Sequence, residues 1–286
     1  MTEAQAYGAE SMTAPLAWAL LRRPGQAFGR AFEDPELGFR HPVDLPRAVA
    51  EHEALVALLA GLGVDVTVID EGATGDSVYP FDPLLVTARG AIGLRSGKPN
   101  RVAEADELAD WCGSAGIPLA GRVDPPGTAD GGDTFWLRPN VLCIGRSLRT
   151  NDEGIRQLAA LVDAEIRVFD LPYWHGPAEV LHLLSVISPV ADDLAVVYPP
   201  LLPAGLWRLL EELGVRTIAV PDEEFATLGC NVLAVGPRVV VVAEGNPRTA
   251  AALLAAGAEV HATPLAELGL NGSGGPTCLV RPIRRA

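Results

Sequence analysis

The sequence predicts an α/β fold, and three observations carry that expectation. A helix-then-strand unit recurs along the chain, its helices begin roughly every 50 residues, and the gaps between units hold short β-rich runs with turn clusters. The first unit has helical apolar spacing over Leu45 to Leu62, closed by glycine, then the β-branched run Val64 to Ile69. The second places a helix over Val102 to Ser114 before a strand at Ile117 to Val123. The third pairs Asp152 to Val162 with Glu165 to Phe169. The fourth pairs Pro203 to Leu213, with Gly214 just past the helix end, with Arg216 to Val220. The fifth starts at Asn246, the expected N-cap, with Pro247 behind it, and stops at Gly257 before Val260. Strands are expected in the gaps at Leu84 to Leu94, Thr134 to Ile144, Val180 to Val190, Leu194 to Val197 and Asn231 to Val242. Five such units fit a ring with helices outside and strands around an axis, and strict alternation fits a doubly wound sheet equally well. No linker or charge block divides the chain, so residues 1–286 are expected to form a single domain.

Composition narrows the class of function. Of 286 residues, 49% are hydrophobic and 20% charged, which is ample for a sizeable core. A formal net charge of −14 argues against nucleic acid and against anionic membranes, both of which are met by basic surfaces. No N-terminal targeting pattern and no apolar run of about 20 residues is visible. The four cysteines, Cys112, Cys143, Cys230 and Cys278, form no CxxC pair, which argues against a zinc site or a disulfide framework. A reducing, cytoplasmic setting is the expectation.

Five short constellations lie in different gaps between helices. They are Gly75 to Asp82 leading into Leu94 to Arg101, Asp130-Gly131-Gly132-Asp133, Ser147-Leu148-Arg149-Thr150-Asn151, Leu181-His182-Leu183-Leu184-Ser185, and Gly272 to Cys278 entering a C-terminal strand. Singly each has an ordinary explanation: a turn, a core histidine, a packed cysteine. In this order they resemble the guanidino-group-modifying (pentein) superfamily, and within it the dimethylarginine dimethylaminohydrolases. The resemblance runs from Trp18 to Val280. It implies a five-bladed α/β propeller with pseudo-fivefold repeat units around a central active site. Arginine deiminases and amidinotransferases share that fold and its chemistry.

The resemblance implies Cys278 as nucleophile, His182 as acid and base, and Asp82 and Asp130 as the guanidinium grip, with Asp130 also orienting His182. A guanidinium carbon is a poor electrophile, so a thiolate held against it by paired carboxylates is reasonable chemistry. Arg101 and Arg149 match arginines that bind a substrate carboxylate, Asp76 an acid near the α-amino group, and Ser185 a polar residue beside the histidine. Phe81 stands where dimethylargininases generally place a Glu, and Ser273 where an acid is expected. The implied reaction takes an Nω-methylated arginine to citrulline and an amine through an S-alkylthiouronium on Cys278, with no metal or cofactor. Amidinotransfer, another deimination, or a silent binding protein on the same scaffold are the alternatives. The stretch Pro24 to His41 is expected to be a flap over the site, and family analogy suggests a homodimer.

Overall fold

The computed structural model describes residues 6–176, 179 and 181–286. Val180, where one strand was expected to begin, and Pro177 of the loop before it lie outside the described residues. Five long helices occupy the expected places: Leu45–Gly61, Glu104–Ser114, Asp152–Leu161, Ala204–Glu212 and Pro247–Ala255. Each precedes a strand: Asp65–Ile69, Leu119–Arg122, Glu165–Asp170, Arg216–Ala219 and Glu259–Thr263. Gly214 and Gly257, at φ +67° and +85°, end two of the helices in the left-handed conformation that glycine adopts without a Cβ penalty.

Four of the gaps fold as hairpins whose second strand pairs in parallel with the strand after the helix. Leu84–Thr87 and Gly90–Gly93 are one hairpin, and Thr134–Arg138 and Val141–Arg146 another. Ile187–Ala191 with Leu194–Val197, and Leu233–Gly236 with Val239–Ala243, complete the set. The remaining sheet has the same pattern built from both chain ends. The C-terminal strand Arg281–Arg285 lies antiparallel to Leu16–Arg22, which pairs in parallel with Asp65–Ile69. Among the described residues the result is five separate three-stranded sheets, each mixed in the same sense.

Apolar packing joins these units in a cycle. One cluster joins Leu20 and Ile283 to Leu84 and Leu108, and the next joins Ile92 and Leu94 to Leu142 and Leu158. The third packs Phe135 and Cys143 against Val197 and Leu206, and the fourth packs Val190 and Val196 against Val240 and Leu253. The last cluster sets Leu233 and Val241 against Leu21 and Leu55, returning to the first unit. Each fully buried leucine or isoleucine contributes about 2 kcal/mol, so contact between units is the main apolar term. Among the described residues no helix is long and apolar enough to cross a membrane.

Side-chain caps start two of the five long helices. Asp44 accepts the N–H of Arg47, and Asn151 accepts that of Gly154 at 2.8 Å. Asn246 holds the expected N-cap position with Pro247 behind it, but its side chain makes no capping bond. Its amide donates to the carbonyls of Thr227 and Ala243 and accepts from the Thr227 hydroxyl. The buried Glu224 caps that helix instead, accepting the N–H groups of Arg248 and Thr249 at 2.7 and 2.8 Å and the Thr249 hydroxyl at 2.6 Å. Glu224→Ala leaves these donors unpaired and should lower the unfolding free energy by about 1–3 kcal/mol in a urea titration. A midpoint equal to the parent's would show that Asn246 can take over the cap.

Candidate active site

The turn Asp130-Gly131-Gly132-Asp133 is the hub on which the other constellations assemble. It forms a short 3₁₀ turn, Gly131–Asp133, ahead of a strand. Gly131 donates its N–H to the Asp82 carbonyl at 2.7 Å, and Gly132 donates to Asp82 Oδ1 at 3.0 Å. Both glycines are demanded by crowding. A Cβ at Gly131 would lie 2.1 Å from the Phe81 carbonyl oxygen, and one at Gly132 2.3 Å from His182 Nδ1. Asp133, wholly buried, binds outward in two directions. Its Oδ1 accepts the Leu183 N–H at 3.0 Å, while Oδ2 accepts the hydroxyls of Ser147 at 2.5 Å and Thr150 at 2.7 Å. One carboxylate thus ties the histidine segment to the segment carrying Arg149.

His182 was expected in a strand, but it sits at the N-terminal edge of a 3₁₀ turn, Leu183–Ser185, and the strand begins only at Ile187. The Ser185 hydroxyl accepts the His182 N–H at 3.1 Å, and Asp133 takes the next one, so polar capping holds the turn against the β propensity of its neighbours. The imidazole Nε2 lies 3.2 Å from Asp130 Oδ2, and Nδ1 lies 3.9 Å from Asp82 Oδ1. Burial disfavours the imidazolium, but Asp82, the hydrogen bond to Asp130 and the charge of Asp133 outweigh it. They raise the ring pKa to about 9. For Asp82 burial opposes ionisation, and His182 and Arg101 overcome it and lower its pKa. Asp133, with weaker compensation from His182, Ser147 and Thr150, is pushed up to about 6 by burial.

Cys278 lies in a one-turn helix, Pro276–Leu279, rather than at the head of the final strand, which starts at Arg281. Asn231 fixes it, a residue for which the sequence offered no signal beyond its place in a gap. The Asn231 amide donates to Cys278 Sγ at 3.3 Å, and its Oδ1 accepts the Thr277 N–H at 2.9 Å. Gly275 and Gly274 make room for this approach, since a Cβ would lie 2.4 Å from Asn231 Cγ and 2.3 Å from the Tyr79 ring respectively. Cys112, Cys143 and Cys230 are buried, and Cys278 is partly exposed. Burial and then the charge of Asp82 push its thiol up to about 11, against help from the Gly275 N–H, Asn231 and Arg101.

One arginine and one aromatic make protein contacts in place of their expected ones. Arg101 was expected to meet a substrate carboxylate, and its donors are directed at protein oxygens. Nη1 meets Asp82 at 2.6 Å, Nε and Nη2 meet Glu104 at 3.0 and 2.9 Å, and Nη2 also meets the Tyr79 carbonyl at 3.1 Å. The i,i+3 spacing of Arg101 and Glu104 is the readable cause. Phe81 was expected beside the substrate, yet its ring is buried with Phe135 and Leu183 and lies 3.8 Å from the Arg281 guanidinium carbon. Arg281 also donates to the Phe81 carbonyl at 3.0 Å, and burial lowers its pKa to about 9. Arg149 is buried beside Gly97, and Asp76 is paired with Lys98. Ser273 takes a left-handed φ of 61° after a 3₁₀ turn.

The segment expected as a flap carries short helical turns at Gln26–Gly29, Ala31–Glu33 and Pro35–Leu37. It leans on both loops that carry the chemistry. A Cβ at Gly75 would lie 2.5 Å from Ala31 Cβ, and one at Gly272 2.9 Å from Phe39. The Asn271 side chain accepts the N–H groups of Arg40 and His41 at 3.0 and 3.1 Å. Among the described residues, no three His, Cys, Asp or Glu side chains gather as metal ligands would.

A family model described as N,N dimethylarginine dimethylhydrolase, eukaryotic, matches residues 36–285. The N(G),N(G)-dimethylarginine dimethylaminohydrolase of Pseudomonas aeruginosa is 30% identical over 209 residues, covering 72% of this chain and 77% of that protein. A solved dimethylarginine dimethylaminohydrolase structure from the same organism, a cysteine-to-serine mutant complexed with citrulline, has a TM-score of 0.77 at 23% identity, covering 93% of this chain and 98% of its own. The N-terminal domain of a cyanobacterial arginine dihydrolase, bound to product, has a TM-score of 0.81 at 19% identity, covering 94% of this chain and 97% of its own. These two structures are similar to this chain in fold.

With a pKa of about 11, about one Cys278 thiol in a thousand is ionised at pH 8. Iodoacetamide labelling of Cys278, followed by intact mass, should therefore be slow at pH 7 and climb through pH 9–10. Asn231→Ala should slow it further at each pH. Full-rate labelling at pH 7 would contradict this electrostatic reading.

Proposed function

The chain belongs to the dimethylarginine dimethylaminohydrolase family of the pentein superfamily, enzymes that hydrolyse amidine C–N bonds, and on that premise we propose that it converts a guanidino acid to a ureido acid through Cys278. The observation that carries the reading is the imidazole of His182 set between Asp82 and Asp130 and held protonated there. An imidazolium is the acid that a departing amine needs, and buried carboxylates are the partners that a planar cation needs.

The guanidinium enters against Asp82 and Asp130. Each oxygen of Asp82 already accepts one protein bond, from Gly132 or Arg101, and retains a lone pair for the substrate. The arriving positive charge lowers the thiol pKa, so the Cys278 proton passes to water and the thiolate remains. Sγ adds to the guanidinium carbon, His182 gives its proton to the leaving nitrogen, and the C–N bond breaks to leave an S-alkylthiouronium. His182, now neutral, takes a proton from water, the resulting hydroxide adds to the same carbon, and the C–S bond breaks as the new hydroxyl's proton passes to the departing sulfur, restoring the thiol and releasing the ureido product. Asn231 steadies the sulfur as it leaves.

Three supports bear on the surroundings. The cyclic sharing of apolar clusters and the pairing of the two chain ends support a five-bladed α/β propeller closed around this site. Arg101 keeps Asp82 ionised while the substrate is absent. Phe81 gives its ring to Arg281, and with Ser273 it leaves the site two acids short of what the resemblance implies. Nω-methylated arginine, the family's namesake, is the first compound to test, alongside arginine and shorter guanidino acids.

The test is metal-free incubation of the purified protein with that panel, reading ureido product and released amine by mass spectrometry. At least one compound should turn over, and Cys278→Ser should reduce turnover by about 10⁴-fold or more. Turnover that survives in the serine variant would remove the covalent route.

A further inference from the structure

Beside the candidate site lies a charge pattern that the reaction does not use. The loop after Leu94 reaches three carboxylates in seven residues. Gly97 donates its N–H to Asp130 at 3.2 Å, Lys98 pairs with Asp76, and Arg101 pairs with Asp82. The Lys98 and Asp76 side chains are 12% and 7% exposed, so a half-buried ammonium meets a buried carboxylate. Asp76 lies on the segment that meets the nucleophile's loop, where Phe81 donates its N–H to the Cys278 carbonyl at 3.3 Å and the Tyr79 ring lies against Gly274.

Arg149 stands on the other side of this loop. A Cβ on Gly97 would lie 2.6 Å from the Arg149 Cα, so the backbones touch next to Lys98. Arg149 is 8% exposed, and among the described residues its guanidinium makes no hydrogen bond or ion pair with the protein. None of its guanidinium nitrogens is both sealed from solvent and unpaired, so the cation is open to an incoming anion. Away from Asp82 and Asp130, this end of the site therefore holds Lys98 and Arg149 against Asp76. That is two positive charges and one negative, a net of +1.

An α-amino acid end is neutral overall and brings an ammonium that must share Asp76 with Lys98, with like charges side by side. A bare carboxylate brings only the charge that this end lacks. Arg101, which could have balanced a second anion, is committed to Asp82 and Glu104. We propose that the substrate is an ω-guanidino carboxylic acid without an α-ammonium group, its carboxylate held by Arg149 and Lys98 while the Lys98 ammonium occupies Asp76. This rests on the reading above, in which the guanidine head lies at Asp82, Asp130 and Cys278.

5-Guanidinopentanoate and L-arginine differ only in the α-ammonium. Each is titrated calorimetrically at pH 7.5 into the full chain carrying Cys278→Ser, which blocks turnover. The des-amino acid should bind tighter by about tenfold or more, the effect of one unfavourable charge contact. Adding Lys98→Met, which frees Asp76, should narrow or invert that ratio. Equal or tighter binding of L-arginine with Lys98 in place, a ratio unmoved by Lys98→Met, or no binding of either compound overturns the proposal. Labelling of Cys278 in the native protein by 2-chloroacetamidine, an amidine with no tail, reads the head alone. Labelling that persists beside a failed tail preference leaves the guanidine reading standing, and absent labelling removes both.

Discussion

The structure depends on keeping several carboxylates charged, or nearly so, where water does not reach. Asp82, Asp130 and Asp133 are all buried within a short stretch of space, and each is held by groups that exist only in the folded chain. Ionised groups in such a setting persist when cations and N–H donors surround them. Here those are His182, Arg101, the amides of Gly97, Gly132 and Leu183, and the hydroxyls of Ser147 and Thr150. The units supplying them are brought together by the apolar clusters between sheets and by the hydrogen bonds of the Asp130 to Asp133 turn. Burial of leucine and valine between units thus sets the electrostatics of the site.

This arrangement fixes opposite resting states for the two central groups. The imidazole is kept protonated by carboxylates, and the thiol is kept protonated by burial and by Asp82. The resting site therefore holds an acid ready to donate and a nucleophile not yet formed. A cation arriving beside the sulfur reverses the second condition without disturbing the first. Reactivity of the thiol is then coupled to occupancy by a cationic ligand, which limits side reactions of a partly exposed cysteine.

Much of this was legible in the sequence because it rests on long periodic signals. Helical spacing over ten or more residues located all five long helices, two of them closed by Gly214 and Gly257, and the turn clusters between them located the hairpins. Short elements escaped for a physical reason. Leu181 to Ile187 has strand-like composition, yet Ser185 and Asp133 hold His182 in a turn by hydrogen bonds that no local pattern reveals. The same holds for Asn246, whose amide is taken by Thr227 while Glu224 caps from another unit. Asn231 is 47 residues from Cys278, so nothing local announces their contact. Arg101 could be read as a ligand for substrate because its type suits a carboxylate. That the carboxylate is the protein's own Asp82 is a fact of packing. Phe81 was visible as a departure, but its partner Arg281, 200 residues away, was not.

The claim beneath all of this is that buried carboxylates hold His182 as an imidazolium in the resting protein. Following the His182 ring signals by NMR against pH, with His182→Gln to assign them, tests it most directly. The account predicts a midpoint near 9, with the ring protonated throughout the neutral range. A midpoint at or below the ordinary histidine value of about 6.5 would contradict it, because burial would then outweigh the carboxylates.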